Sequence, residues 1–156
     1  MDSKASEIGQ ILLQKGQTLA TAESCTGGNI AHLLTLTPGC SSWFRGGIVS
    51  YTNHVKINLL GVAPQTINRY GVVSREVAME MANGARRATS ADYAISTTGI
   101  AGPDGGTAEN PVGTVCIGIA TPYKIAAERI ATNGNRADNI STFSNVALGL
   151  LLSCIK

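Results

Sequence analysis

The chain has 156 residues and a net charge of +2, with 44% hydrophobic and only 14% charged residues. This length fits a single domain, 1–156, whose core is large enough to fold without disulfides or metals. The small net charge, the lack of a Lys/Arg cluster and the scarcity of aromatic residues argue against a nucleic-acid-binding protein. Because charged residues make up about 25% of an average protein, the low fraction favours a surface partly covered in a homo-oligomer.

Helical and strand-like patterns alternate along the chain, which is typical of an α/β protein. The first half is predicted to form helices over 5–15, 26–36 and 53–60, with strands over 17–23 and 46–52. The second half is predicted to form a helix over 74–88, a buried strand over 92–98, a Gly-rich loop over 99–111, strands over 112–120 and 124–131, and a final helix over 139–155. The Thr121-Pro122-Tyr123 segment indicates a hairpin, so we expect a mixed sheet.

The cysteine pattern and the apolar runs exclude several other classes of protein. There are four cysteines without a CxxC pair and only two histidines, which argues against a zinc site and for reduced thiols. The N-terminus has no apolar signal segment. The longest apolar run, 146–155, is far shorter than the roughly 20 residues of a membrane span. The sequence therefore predicts a soluble, cytoplasmic protein that does not act on membranes.

The first segment with candidate chemistry is 23–28, where hydroxyls, a thiol and two glycines lie between a predicted strand and a helix. Ser24 is the candidate nucleophile for acyl chemistry. Free N–H groups and the positive end of the helix dipole favour an anion there, either a phosphate or a developing oxyanion. Alternatively, Ser24 or Thr26 simply caps the helix.

The second segment is 50–56, in which Tyr51 is predicted to end a strand and Lys56 to lie in the following helix. A lysine acts as a general base when burial or a neighbouring positive charge lowers its pKa towards neutrality. Tyr51 would then relay a proton or hold the lysine by a hydrogen bond, and His54 is the other candidate base. The alternative is a solvated surface lysine beside a half-buried tyrosine.

The third segment, 97–106, leads from a buried strand directly into a Gly-rich turn. Such turns present consecutive N–H groups that can bind an anion, although a tight turn of purely structural importance has the same composition. Arg136 lies between the last predicted strand and the last helix. It is a candidate for bidentate phosphate binding or, alternatively, a solvated arginine.

These segments belong to an ordered set of motifs: TAESCTGG (21–28), GGIVSYTNHVK (46–56), LLGV (59–62), YGVVS (70–74), TTGIAGPDGG (97–106) and PVGTV (111–115). In order and spacing they resemble the CinA C-terminal-domain family, several of whose members are nicotinamide-nucleotide amidases. The resemblance covers about residues 5–155. It implies a three-layer α/β/α sandwich around a mixed β-sheet in a cytoplasmic bacterial protein.

The resemblance also implies an activity, the hydrolysis of nicotinamide mononucleotide to nicotinic acid mononucleotide and ammonia in pyridine nucleotide salvage, with no cofactor or metal. It makes Ser24 the nucleophile and Lys56 the base, with Tyr51 assisting. The block 99–106 as a whole would line the nucleotide site. The substrate-binding residues that the resemblance implies are Cys25, Thr26, Gly27, Gly28, Asn53, Thr98, Gly99, Ile100, Ala101, Gly102 and Arg136.

Two positions depart from the family pattern near the C-terminus. Asn135 replaces an acidic residue, and Asn139 stands where the family usually has an arginine. These changes would alter ligand affinity or phosphate recognition. They leave open a non-catalytic nucleotide-binding or regulatory domain, and a purely structural oligomerising domain is a further alternative.

Overall fold

A computed structural model describes residues 3–156 as a five-stranded sheet with helices on both faces. The helices are Lys4–Lys15 (α1), Asn29–Thr35 (α2), Asn53–Leu60 (α3), Pro64–Tyr70 (α4), Arg75–Thr89 (α5) and Arg136–Ile155 (α6). The strands are Leu19–Glu23 (β1), Phe44–Val49 (β2), Tyr93–Gly99 (β3), Thr114–Ala120 (β4) and Ile125–Ala131 (β5). Among these residues, no helix combines the length and the apolar character needed to cross a bilayer.

The strand order β2-β1-β3-β4-β5 places the first three strands side by side and parallel. Glu23, the last residue of β1, is paired with Val49 of β2 and with Thr97 of β3. The segments that follow these strands therefore leave the sheet at the same edge. Because parallel strands bind ligands beyond their carboxyl ends, this edge is where a site is expected.

The sheet separates two apolar cores, and successive side chains of β1 point alternately into one core and the other. Leu19 faces a core that it shares with α1, α2 and α6, while Ala20 faces a core built largely by α5. The first core contains Ile8, Leu12, Ile30, Leu34, Ile95, Ile117, Phe143 and Leu151. The second core contains Ala22, Leu60, Val77, Met81, Ala85 and Ala94. The three-layer α/β/α sandwich and the mixed sheet are therefore confirmed, since β4 is antiparallel to both β3 and β5.

The position of α3 depends on a close approach to α5. A Cβ atom at Gly84 would collide with the carbonyl oxygen of Leu60, the last residue of α3. Leu60 is itself buried in the α5 core. Glycine at position 84 thus lets the end of α3 rest directly on α5, which fixes the helix that carries Lys56.

Several predicted boundaries are wrong for physical reasons. Helix α2 begins only at Asn29, because Gly27 and Gly28 have left-handed φ values of 59° and 97°. Strand β2 ends at Val49 rather than at 52, since its neighbour β1 ends at Glu23, so Tyr51 lies in a loop and does not end a strand. Helix α4 was not predicted. Helix α6 starts at Arg136 instead of at 139, whereas the hairpin and the helix over 53–60 are confirmed.

Candidate active site

Ser24 lies in a tight turn at the carboxyl end of β1. Its N–H donates to the carbonyl oxygen of Thr97 at 3.0 Å, and its own carbonyl accepts from the N–H of Gly27 at 3.0 Å. The left-handed conformation of Gly27 closes this turn. Ser24 is only 8% exposed, so its hydroxyl is held inside the sheet edge rather than in open solvent.

The side chain of Lys56 reaches Ser24 from the neighbouring helix. Its Nζ donates to Ser24 Oγ at 3.0 Å and to the carbonyl oxygen of Ser50 at 2.9 Å. Helix α3 begins after Thr52, whose hydroxyl accepts from the N–H of Val55 and caps it. The structure therefore brings together the predicted serine and lysine, which are far apart in sequence, and their contact is within hydrogen-bonding distance.

Lys56 is 2% exposed, and within residues 3–156 it forms no ion pair with a carboxylate. Burial therefore lowers the pKa of Lys56 below its ordinary value of 10.5, an effect that the neighbouring Cys25 opposes. Burial thus favours the neutral amine of Lys56, which is the form that can accept a proton from Ser24.

Glu23 caps the N-terminus of α2 by accepting hydrogen bonds from its first N–H groups. The sequence did not predict this role. Its buried carboxylate accepts from the N–H groups of Ile30 and Ala31 at 2.8 Å and 3.0 Å, and from the Thr26 hydroxyl at 2.6 Å. The N-cap residue, Gly28, makes no side-chain cap bond. The expectation that this helix end offers free N–H groups to a phosphate is corrected, as is the alternative that Ser24 or Thr26 caps the helix.

Cys25 lies next to Ser24 but is buried. Burial raises the pKa of its thiol to about 12, although a hydrogen bond with Thr97 acts in the opposite direction. At neutral pH the sulfur is therefore a protonated thiol. Because the thiolate is the nucleophilic form of cysteine, Cys25 does not compete with Ser24.

A cavity of about 260 Å³ opens over the Ser24–Lys56 pair. Predicted site residues in its wall are Ser24, Cys25, Tyr51, Asn53, Lys56, Thr98, Gly99, Ile100, Ala101, Gly102 and Arg136. Thr26, Gly27 and Gly28 lie outside this lining. The wall also contains Asp104 and Gly105, which belong to the block 99–106 that the resemblance assigns to the nucleotide site. Val72 and Val73 of the block 70–74 line the cavity too, and the predicted set missed them.

Tyr51 and Arg136 form the mouth of the cavity. Arg136 donates to the Tyr51 hydroxyl at 2.9 Å and to the carbonyl oxygen of Gly102 at 2.7 Å. Tyr51 is 54% exposed. The amine of Lys56 donates its second hydrogen bond to the carbonyl oxygen of Ser50, and not to Tyr51 as expected. His54, the other candidate base, is exposed and contacts Asn58.

Residues 1–155 match the family model of the CinA C-terminal domain. The chain belongs to this family. A CinA-like protein of Desulfosudis oleivorans is 48% identical over 146 residues, and one of Chloroherpeton thalassium is 49% identical over 148 residues. These matches cover 93% and 92% of this chain but only 35% of each relative, so the chain spans about a third of their length.

Solved structures of the CinA superfamily share the whole fold. A CinA superfamily protein from Escherichia coli is 34% identical with a TM-score of 0.92, over 96% of this chain and 87% of that one. A competence/damage-inducible protein from Agrobacterium tumefaciens is 34% identical with a TM-score of 0.91, over 100% of this chain and 98% of that one. The fold assignment therefore agrees with structures of recognisable sequence similarity.

The two departures from the CinA pattern have structural roles here. Asn135 caps α6, since its side chain accepts from the N–H of Asp138 at 2.9 Å, a bond that an aspartate would also make. Asn139 is buried and donates to the carbonyl oxygens of Ala101 and Gly134 at 3.0 Å and 2.9 Å. It ties the start of α6 to the cavity wall.

No metal centre is built within residues 3–156, where no group of three or more His, Cys, Asp and Glu side chains could hold an ion.

Proposed function

We propose that this domain is an amidohydrolase that converts nicotinamide mononucleotide to nicotinic acid mononucleotide and ammonia. The observation that carries the proposal is the contact of 3.0 Å between a buried lysine amine and the Ser24 hydroxyl, at the floor of a cavity. Membership of the CinA family supports the proposal, since the chain resembles members with this activity. The reaction would belong to pyridine nucleotide salvage in the cytoplasm.

In the proposed mechanism, the neutral amine of Lys56 accepts the proton of Ser24 as Ser24 Oγ attacks the amide carbon. Burial lowers the pKa of Lys56 and so favours this neutral amine. The protonated lysine then donates its proton to the departing nitrogen, which leaves as ammonia. Water next attacks the acyl-enzyme ester with Lys56 again as base, and this step releases the acid product and restores Ser24.

The oxyanion of the tetrahedral intermediate needs N–H donors that the fold has not already used. The N–H of Gly27 donates to Ser24 and that of Ile100 donates to Thr114. We therefore assign the oxyanion to the N–H group of Cys25, which follows the nucleophile and lines the cavity. A donor of this kind typically contributes about 3–4 kcal/mol to transition-state stabilisation.

The phosphate of the substrate is assigned to Arg136 at the cavity mouth. Two of its N–H groups donate to Tyr51 and Gly102, which leaves further donors of the guanidinium fork for a ligand. With the N-terminus of α2 occupied by Glu23, Arg136 is the cationic group in the cavity wall suited to this role. Nicotinamide or its riboside should then react poorly, because binding energy from the phosphate is lost.

The test is an assay of ammonia and of nicotinic acid mononucleotide from purified protein without added metal. We expect turnover in the unmodified protein and in Ser141→Ala, which changes an exposed serine of α6. Ser24→Ala and Lys56→Ala should fold but lose turnover. Normal turnover in a folded Ser24→Ala variant would disprove the nucleophile assignment.

A non-catalytic nucleotide-binding or regulatory module remains the alternative outcome. Such a module would be stabilised by nicotinamide mononucleotide, with a raised Tm, yet would release no ammonia. A purely structural domain would show neither effect. The assay and a thermal melt, performed on the same preparation, therefore separate the three functions.

We also propose that the protein is a homo-oligomer. Large apolar side chains are exposed, among them Leu36, Leu59 and Tyr123 at 63%, 60% and 91%. Together with the low fraction of charged residues, these exposed side chains favour an assembly that covers them. Light scattering on a sizing column would test this, and the monomer mass at micromolar concentration would contradict it.

A further inference from the structure

The cavity around Ser24 has one carboxylate among its lining residues, that of Asp104. Asp104 follows the Gly102-Pro103 pair in the loop between β3 and β4, and its side chain is exposed. Within residues 3–156 no cationic group lies within ion-pair distance of it, because the ion pair found there joins Lys156 and Glu7. Asp104 therefore lines the cavity, and its carboxylate has no ion-pair partner within residues 3–156.

This carboxylate does not hold the loop in place, because other groups do. The N–H of Ile100 donates to Thr114 at 2.8 Å, and the N–H of Gly113 donates back to Ile100 at 2.8 Å. Asn139 and Arg136 bind the carbonyl oxygens of Ala101 and Gly102. An acidic side chain that the fold does not need, in the wall of a catalytic cavity, is available to a ligand.

The charges of the cavity are arranged in depth. Ser24 and Lys56 lie at the buried floor, whereas Asp104 and Arg136 lie at the open end. A nicotinamide nucleotide carries its groups in a matching order, with the amide at one end, then the cationic ring, then the anionic phosphate. With the amide at Ser24 and the phosphate at Arg136, Asp104 is the charged residue of the cavity wall that is left to face the ring.

We propose that Asp104 recognises the positive charge of the N-ribosyl pyridinium ring and so restricts the site to oxidised pyridine nucleotides. The proposal rests on the function proposed above. Without this carboxylate, the charged groups of the wall would be Lys56 and Arg136, which repel a cationic ring when protonated. The reduced nucleotide has a neutral dihydropyridine ring with the same ribose and phosphate, and it gains nothing from Asp104.

The test measures binding in the Ser24→Ala background, where the substrate is not consumed. Calorimetry gives the Kd of oxidised and of reduced nicotinamide mononucleotide for this variant, with and without Asp104→Asn. We expect Asp104→Asn to weaken binding of the oxidised nucleotide roughly tenfold and to leave the reduced one unchanged. Glu109→Gln, an exposed carboxylate of the same loop outside this cavity, is the matched control and should change neither Kd.

Each other outcome has its own meaning. Equal weakening of both nucleotides would overturn the proposal and assign Asp104 to the ribose hydroxyls, and no weakening of either would also overturn it. If neither nucleotide binds before Asp104 is changed, the proposed substrate fails and this inference fails with it. If the selective loss is found in a protein that releases no ammonia, charge recognition is supported although the amidase function is refuted.

Discussion

Glu23 provides the strongest test of how this fold supports its site, through the substitution Glu23→Gln. The carboxylate, 1% exposed, accepts hydrogen bonds from Thr26, Ile30 and Ala31. The Gln oxygen can replace Oε1 and keep two of these bonds, but its NH₂ group then faces the N–H of Ala31. Hydrogen bonds to a charged group contribute about 1.5–3 kcal/mol, neutral ones about 0.5–1.5, and an unsatisfied buried donor costs about 1–3 kcal/mol.

These terms destabilise the variant, while the lower cost of burying an amide than a carboxylate offsets part of them. We expect the free energy of unfolding to fall by about 2–4 kcal/mol, measured by urea denaturation at pH 7. Because Glu23 precedes Ser24, turnover in the nucleotide assay should fall as well. At saturating substrate this loss should appear in kcat more than in KM, since the nucleophile is displaced while the cavity wall is retained.

The matched control is Glu7→Gln, which removes an exposed carboxylate paired with Lys156 at 3.0 Å. Exposed pairs contribute little, so this variant should lose at most about 1 kcal/mol. A change in Glu23→Gln as small as in Glu7→Gln would refute the reasoning. It would mean that the cap of α2 does not depend on this charge.

Two further predictions concern Lys56 and Thr21. The kcat/KM for nicotinamide mononucleotide should increase as the pH rises through the pKa of Lys56, because the neutral amine is the base. The midpoint of this increase should lie below the ordinary lysine pKa of 10.5. A kcat/KM that does not change between pH 6 and pH 10 would contradict this prediction. Thr21 is fully buried in β1, and its hydroxyl has no hydrogen-bond partner within residues 3–156. Thr21→Val should raise the free energy of unfolding by about 1 kcal/mol in urea titrations, whereas destabilisation would show that the hydroxyl is satisfied.

The alternation of patterns, the apolar periodicities and the turn residues were sufficient to predict most of the elements of this protein. The predicted helix over 53–60 ends at Gly61, a glycine that adopts a left-handed φ of 69°. The motif blocks identified the family and the residues around the cavity. These features are local or nearly so, and for that reason they can be read along the chain.

What the chain could not show was decided by contacts between distant residues. The α2 N-terminus was expected to bind an anion, but Glu23 reaches back to it from the end of β1. The sequence predicts that Tyr51 holds Lys56. Because β2 ends before Tyr51, this residue lies instead at the cavity mouth, where its hydroxyl accepts a hydrogen bond from Arg136. Sequence alone names the serine and the lysine. Their separation and the burial that lowers the pKa of the lysine depend on how the sheet edge and α5 place them together, so only the tertiary structure decides them.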